Sequence, residues 1–362
     1  MAETPVTRQG LQRSDHEPPY LRIEPILAVT PWLAGELGRR PTRYHKSIHV
    51  TQPAKLSGRI LLAFVCVYVF WGSTYLAIRT GVQVLNPFFL VAVRFLISGP
   101  IMLVFCAWRG LRLRPSRKDL GMLALIGILI LGVGNMGVVW AEQYLPSGLT
   151  SLLVAVVPLY VALIEAVLPR GERLQTLGWV GVAIGFFGLL LLLLPGLREG
   201  PKGHSGLFLG SAVALLSAFA WTCGSVLSRR AKLSTGPFVG AGWQMLFAGL
   251  FNVLLTLATG GARHVHWTAQ GIWSIAWLVT FGSLIGYTAY IYLLDNVPVA
   301  KVSTYAYINP IVAVVLGALL LHERMVPVEY AGMAAILIAV YLVTTSKLTS
   351  AKADMPVASS TV

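Results

Sequence analysis

The stretch FWGSTYLAIRTGVQVLNPFFLVAVRFLISG, residues 70–99, decides how this chain is read. It is apolar enough for lipid, and its punctuation returns in residues 220–249, AWTCGSVLSRRAKLSTGPFVGAGWQMLFAG. Trp71 falls on Trp221, Arg79 on Arg229, Pro87-Phe88 on Pro237-Phe238, Leu96 on Leu246 and Gly99 on Gly249, each 150 residues apart. Further out, Pro146, Ser151 and Pro158 recur 152 residues later as Pro298, Ser303 and Pro310. After a one-residue slip, Glu172-Arg173 and Gly181 recur as Glu323-Arg324 and Gly332. Apolar segments match by chance, but chance explains poorly why this punctuation keeps its order through both halves. Duplicated halves inside a membrane are the plan of many carriers, with the solute site where the repeats meet.

Composition supports that direction. Apolar residues make up 56% of the 362 and charged residues 12%, and mean hydropathy is +0.72. An ordinary soluble domain is excluded by that balance. Residues 60–107 hold two charges, Arg79 and Arg94. Cys66, Cys106 and Cys223 lie inside apolar runs, where they read as small packing groups rather than a disulfide framework or a zinc cluster.

A spanning helix needs about 20 mostly apolar residues. The pattern predicts ten, over 59–78, 87–107, 120–140, 147–168, 177–195, 206–227, 237–258, 271–293, 300–321 and 328–345. Asn86-Pro87, Pro146-Ser147, Gly236-Pro237 and Val297-Pro298 mark turns between them, and no loop after residue 58 could hold a catalytic domain. Counting Lys and Arg with the amino terminus inside places eighteen within, from Arg40 to Lys352. Five are left outside: Arg79, Arg198, Lys202, Arg263 and Arg324. That bias predicts that both termini are cytoplasmic. It also accounts for much of the formal charge of +14 without any nucleic-acid partner. Five spans per repeat make the second repeat start from the opposite face. The expected fold is therefore all-α and integral to the membrane, with ten transmembrane helices in two inverted five-helix repeats. Repeat one is expected over 58–196, repeat two over 206–346, and a cytoplasmic tail over 347–362. Residues 1–57 contain seven prolines, scattered charges and an apolar run broken by Pro31. They read as a disordered arm, with a mis-set translation start as the alternative.

Phe70-Trp71-Gly72-Ser73-Thr74-Tyr75, then Pro87-Phe88 and Arg94-Phe95, resemble the EamA family of the drug/metabolite transporter superfamily. Trp140-Ala141-Glu142-Gln143, Leu145-Pro146-Ser147-Gly148, Val157-Pro158 and Gly171-Glu172-Arg173 continue the resemblance, which covers about residues 58–345. It looks like the branch of inner-membrane drug/metabolite exporters. The resemblance implies ten helices in two inverted repeats and export of small organic solutes, often amino acids or related metabolites. Two departures stand out: Ala220-Trp221-Thr222-Cys223 replaces the Trp-Gly-Ser run, and Gln244 stands where repeat one has Arg94.

Arg94 is the one basic residue deep inside a span, roughly 10 Å below the outer helix end at ~1.5 Å per residue. A guanidinium at that depth needs a partner or a watery cavity. It reads as an anchor for a substrate carboxylate or a gating charge, or else as a fixed clamp to helix-end carbonyls or Glu142. Glu142 and its approximate mate Asp295 sit at opposite mouths, where they suit a gate or proton coupling, or are simply solvated. Glu165 reads as an interfacial charge. Glu172-Arg173 and Glu323-Arg324 read as structural, favouring the dipole of the helix that follows each. Trp71, Asn135, Trp140, Tyr160, Trp221, Gln244, Tyr287, Tyr305, Tyr307 and Asn309 are candidates to line the substrate pathway. Aromatic residues near span ends also form interfacial belts. Pro158 and Pro310 sit mid-span, as hinges or static kinks. Glycine stripes in the third and fifth spans read as close helix contacts. His264 and His266 are too few for a metal site, and no motif calls for a cofactor.

The leading reading is thus a secondary exporter whose partners are a small-molecule solute and the bilayer, with protons and a homodimer as open additions. A sugar-phosphate or nucleotide-sugar antiporter is the alternative, but it calls for several intramembrane cations. An intramembrane enzyme would need a clustered catalytic set, and no HExxH or paired-aspartate motif is present. A channel fits the inverted duplication less well, and primary pumping lacks a Walker-type loop.

Overall fold

The computed structural model describes residues 58–169, 175–198, 205–263, 265–297, 302 and 305–353. The amino-terminal arm, the end of the tail, Glu172-Arg173 and His264 lie outside the described residues. Among the described residues every regular element is helical. Nine helices there are long and apolar enough to cross a membrane: Gly58–Val82, Pro87–Trp108, Arg117–Ala141, Ser147–Val167, Thr176–Pro195, Gly206–Arg230, Pro237–Ala258, Ala269–Tyr290 and Pro327–Ser346. The shorter apolar helix Tyr305–Leu320 lies between the last two. Together they fall on the ten segments expected from hydropathy and make this an all-α, multi-pass membrane protein. They are numbered first to tenth in chain order.

Local chemistry sets the helix ends. Asn86 caps the second helix, its Oδ1 accepting from Phe88 N at 3.0 Å and Phe89 N at 3.3 Å, with Pro87 at the first helical position. Ser116 and Thr268 cap the third and eighth helices in the same way. Gly110 (φ 72°) and Gly260 (φ 68°) follow the second and seventh helices, in a left-handed conformation that favours glycine. These two glycines are again 150 residues apart.

The packing pairs are reciprocal. The second helix packs on the seventh and the fifth on the tenth; the first packs on the eighth, as the sixth does on the third. The ninth lies against the first, as the fourth lies against the sixth. Exchanging the repeats maps each pair onto itself or onto another pair. The match extends to single atoms. A Cβ on Gly99 would lie 2.9 Å from Leu246 N, and one on its repeat mate Gly249 would lie 2.9 Å from Leu96 N. A Cβ on Gly181 would lie 2.9 Å from Ala339 O, and one on its mate Gly332 would lie 2.9 Å from Gly188 O. Backbones this close gain dispersion contact where lipid offers no hydrophobic drive between helices. Large apolar side chains such as Val104, Leu216, Leu254 and Leu319 stay on the outside, as expected of surfaces that face lipid.

Three helices are interrupted by a π-helical stretch: Val67–Trp71 in the first, Ile128–Asn135 in the third and Leu278–Ile285 in the eighth. The last two are offset by 150 residues, the repeat spacing itself. The fourth helix is broken instead. It runs Ser147–Val154, turns at Ala155 and Val156, and resumes over Val157–Val167. Pro158 lacks the N–H that would continue the first segment, and it sits in the first turn of the second, where that N–H is not needed. Its mate Pro310 lies inside a helix that is continuous over Tyr305–Leu320, so the break in the fourth helix has no counterpart at that place in the ninth.

Candidate functional site

The π-helical stretches and the break converge on one place. A cavity of about 120 Å³ is lined by Trp71 from the first helix, Arg94 from the second and Asn135 from the third. Ser151, Ala155 and Val157 join from the fourth helix, Trp221 from the sixth, Met245 from the seventh, Gly282, Ser283 and Tyr287 from the eighth, and Tyr305, Asn309 and Pro310 from the ninth. A π turn inserts a residue and re-aims the side chains around it, which is why such turns concentrate at binding sites. The volume corresponds to on the order of ten water molecules, enough for a solute of amino-acid size.

Arg94 is 6% exposed. Its Nε donates to Ser283 Oγ at 3.0 Å and its Nη1 to Asn135 Oδ1 at 3.3 Å. A guanidinium has five N–H donors, and these two bonds leave three without a protein partner among the described residues. No carboxylate pairs with it there. The clamp to Glu142 considered from sequence does not form. Glu142 lies one turn further along the third helix from the cavity residue Val138, and Arg79 reaches its backbone carbonyl instead.

Aromatic rings form one wall. Trp71 Nε1 donates to Gly282 O at 3.0 Å, a carbonyl within the eighth helix's π stretch. Its ring lies 5.0 Å from Tyr290 and 5.4 Å from Tyr305, the latter edge-on. Trp221 stands across the repeat boundary, with its Cα 3.1 Å from where a Gly134 Cβ would be. Asn309 Oδ1 is buried on the ninth helix with no hydrogen-bond partner among the described residues.

Of the residues expected to line a pathway, Arg94, Trp71, Trp221, Asn135, Tyr287, Tyr305 and Asn309 surround this cavity. Gln244 stands one layer back and accepts from the Tyr287 hydroxyl at 3.3 Å. Trp140 packs against Tyr144 at 4.9 Å, and Tyr307 packs into a separate hydrophobic cluster. Tyr160 stacks edge-on against Phe219. Asp295 belongs to the eighth helix's C-terminal extension, with its side chain outside the description.

Ser283, Thr74, Tyr75 and Ser151 also line the cavity and are not among the residues expected from sequence. Thr74 and Tyr75 stand inside the quoted motif, and Ser151 stands in a repeat identity, so a signal was there. Three other acids take roles that the sequence alone did not specify. Glu323 turns away from the helix that follows it and caps the fourth: its carboxylate accepts from Ser147 N at 2.9 Å, Ser147 Oγ at 2.7 Å and Gly148 N at 3.3 Å. Glu329 serves the tenth helix, accepting from Val326 N at 2.8 Å. Glu165 is a buried clamp, with both oxygens 2.9 Å from the guanidinium groups of Arg229 and Arg230.

A helical membrane protein with two matched sets of helices around a central, partly polar cavity has the build of a solute carrier. Residues 58–194 and 208–345 each match the EamA-like transporter family. The inner membrane transporter YedA of Escherichia coli K12, itself uncharacterized, is 38% identical over 286 residues, covering 79% of this chain and 90% of the relative. The uncharacterized transporter YoaV of Bacillus subtilis is 24% identical, covering 74% and 90%. A crystal structure shares the fold with a TM-score of 0.59 at 22% identity, covering 80% of this chain and 98% of its own. The chain belongs to the EamA-like transporter family. It is a multi-pass transporter of the plasma membrane, which is not an enzymatic role.

Proposed function

We propose that this transporter exports small organic solutes bearing a single carboxylate, among them amino acids, related metabolites and drugs of that charge. Arg94 carries the reading: a buried guanidinium on the cavity wall with three donors unused. A carboxylate from solution supplies the planar pair of acceptors that a guanidinium fork matches. Trp71, Trp221, Tyr287 and Tyr305 then take the flat or apolar body of the solute. Asn309 Oδ1 offers an acceptor to an amino or hydroxyl group. A phosphate dianion would call for further cations, and Arg94 is the one basic residue among the described cavity residues. That favours the carboxylate over the sugar-phosphate reading.

Two inverted repeats, each able to take the other's conformation, provide alternating access. The reciprocal packing of the helices supports this, as does the cavity at their interface. The bend at Pro158 beside that cavity is the proposed hinge on one side, and Pro310, which lines it, the counterpart on the other. The test is counterflow and efflux in proteoliposomes with labelled carboxylate, neutral and cationic solutes of matched size. Carboxylate solutes should be preferred, and the preference should vanish when Arg94 is neutralised. Uniform rates across the three charge types would refute the carboxylate site.

A further inference from the structure

One helical turn from the cavity, a second polar group ties the helix ends together. Tyr75, Val138 and Ser151 line the cavity, and Arg79, Glu142 and Ser147 stand one turn further along the same three helices. Arg79 donates to the Glu142 backbone carbonyl and so joins the first helix to the end of the third. Glu323 holds Ser147 and Gly148 and so joins the segment before the tenth helix to the fourth. Between these ties sits Glu142, one residue past the third span. It is 0% exposed, and neither carboxyl oxygen has a hydrogen-bond partner among the described residues. An unpaired carboxylate buried in this way is costly enough that the group takes up a proton instead. Among the described residues, the titratable and charged groups around it are Arg79 and Tyr75 of the first helix and Glu323 before the tenth. Burial first, then the Glu323 charge, push the Glu142 carboxyl well above the usual carboxylate range, against the opposing pull of Arg79.

We propose that Glu142 is a proton-binding site that latches this gate: the cavity closes toward this face with the carboxyl neutral and opens with it ionised, hydrated and facing Arg79. The proposal rests on the carrier reading and on the orientation that puts this face outside. One proton enters from the outer medium on closing and returns to it on opening. The pKa is raised in the closed state, so closure is favoured most fully at low outer pH. That advantage is lost as pH rises through the closed-state pKa, by up to about tenfold per pH unit.

The test uses the full chain with Cys66, Cys106 and Cys223 replaced by alanine and one reporter, Ser151→Cys, on the cavity wall. An impermeant thiol reagent is applied to sealed vesicles from the outer face between about pH 5.5 and 8.5, a window that spans the expected opening. Labelling rates are measured with Glu142 intact and with Glu142→Gln, and their ratio cancels the reporter thiol's own titration. The rate with Glu142 intact, divided by the rate with Glu142→Gln, should climb with pH by about fivefold or more across that window. Glu323→Gln, which keeps an acceptor for Ser147 while removing the neighbouring charge, should move the midpoint to lower pH. It serves as the second arm if Glu142→Gln fails to fold. A flat ratio, or an unmoved midpoint in that second arm, overturns the proton site and leaves the carrier reading standing. A reporter reached from neither face at any pH overturns both.

Discussion

At the scale of single residues, Arg94 carries the proposed charge preference. Arg94→Lys keeps the charge but loses the planar fork and the Nε contact to Ser283, so transport of a carboxylate solute should fall. Arg94→Gln copies the residue that repeat two carries at 244 and should abolish the preference for carboxylates over neutral solutes. Losing one charge-assisted pair corresponds to about 1.5–3 kcal/mol, roughly ten- to a hundredfold in apparent affinity. Transport rates normalised to folded protein make the comparison, and equal losses for all solute charges would show that Arg94 only holds the helices together. The place of Arg94 on the cavity wall was legible because a lone cation among apolar neighbours is conspicuous. Its partner Ser283 was not: a serine in an apolar run gives no signal, and its repeat mate is Val133. Glu323 misleads for a related reason. The sequence shows which helix follows an acid, while its partner Ser147 lies 176 residues away and reaches it only through the tertiary fold.

Between elements, glycines and caps hold the two repeats in register. Gly99→Ala and Gly249→Ala each push a Cβ to 2.9 Å from an opposing backbone nitrogen, which cannot yield as a side chain can; the Leu96 side chain also crowds Gly249. Each should cost about 1–3 kcal/mol by overpacking, with similar falls in melting temperature in detergent because the two sites are mates. Gly121→Ala, which lies in a helix and meets nothing within 4 Å, should raise stability by about 0.4–1 kcal/mol and serves as the control. A large effect at Gly121 and none at Gly99 would contradict the close contact between the second and seventh helices. Removing the fourth helix's cap by Glu323→Ala should lower stability by about 0.5–2 kcal/mol. Glu323→Gln should lose less, since it retains one acceptor, and thermal melting separates the two. The ten helices could be anticipated because each depends on about 20 apolar residues in a row. The π stretches could not, because an inserted residue changes the hydrogen-bond register without leaving a mark on hydropathy. Their equal spacing in the third and eighth helices emerges only from coordinates. The same holds for the fourth helix: Pro158 and Pro310 look equivalent in sequence, and only one of them breaks its helix.

For the whole molecule, direction in the membrane is the claim on which export and the proton latch both depend. Reporter fusions after Leu56, Arg114, Glu199 and Lys347 should read inside, inside, outside, inside. The physical basis is the excess of Lys and Arg along one face, which resists translocation. Arg229 and Arg230 add a structural argument. Both are held by buried Glu165, and Arg230 also reaches the Pro169 carbonyl, so the ends of the fourth and sixth helices share one polar cluster. The two helix ends must then lie on the same side, as the alternation of spans requires in either orientation. The opposite face should carry Arg79, Glu142 and Glu323. A fusion reading outside at Arg114 would reverse the assignment of the Glu142 gate, and the thiol reagent would then have to act from the cytoplasmic face. An outside reading at Lys347 with inside at Leu56 would require an odd number of crossings. That result would remove the inverted relation between the repeats, and with it the basis for alternating access.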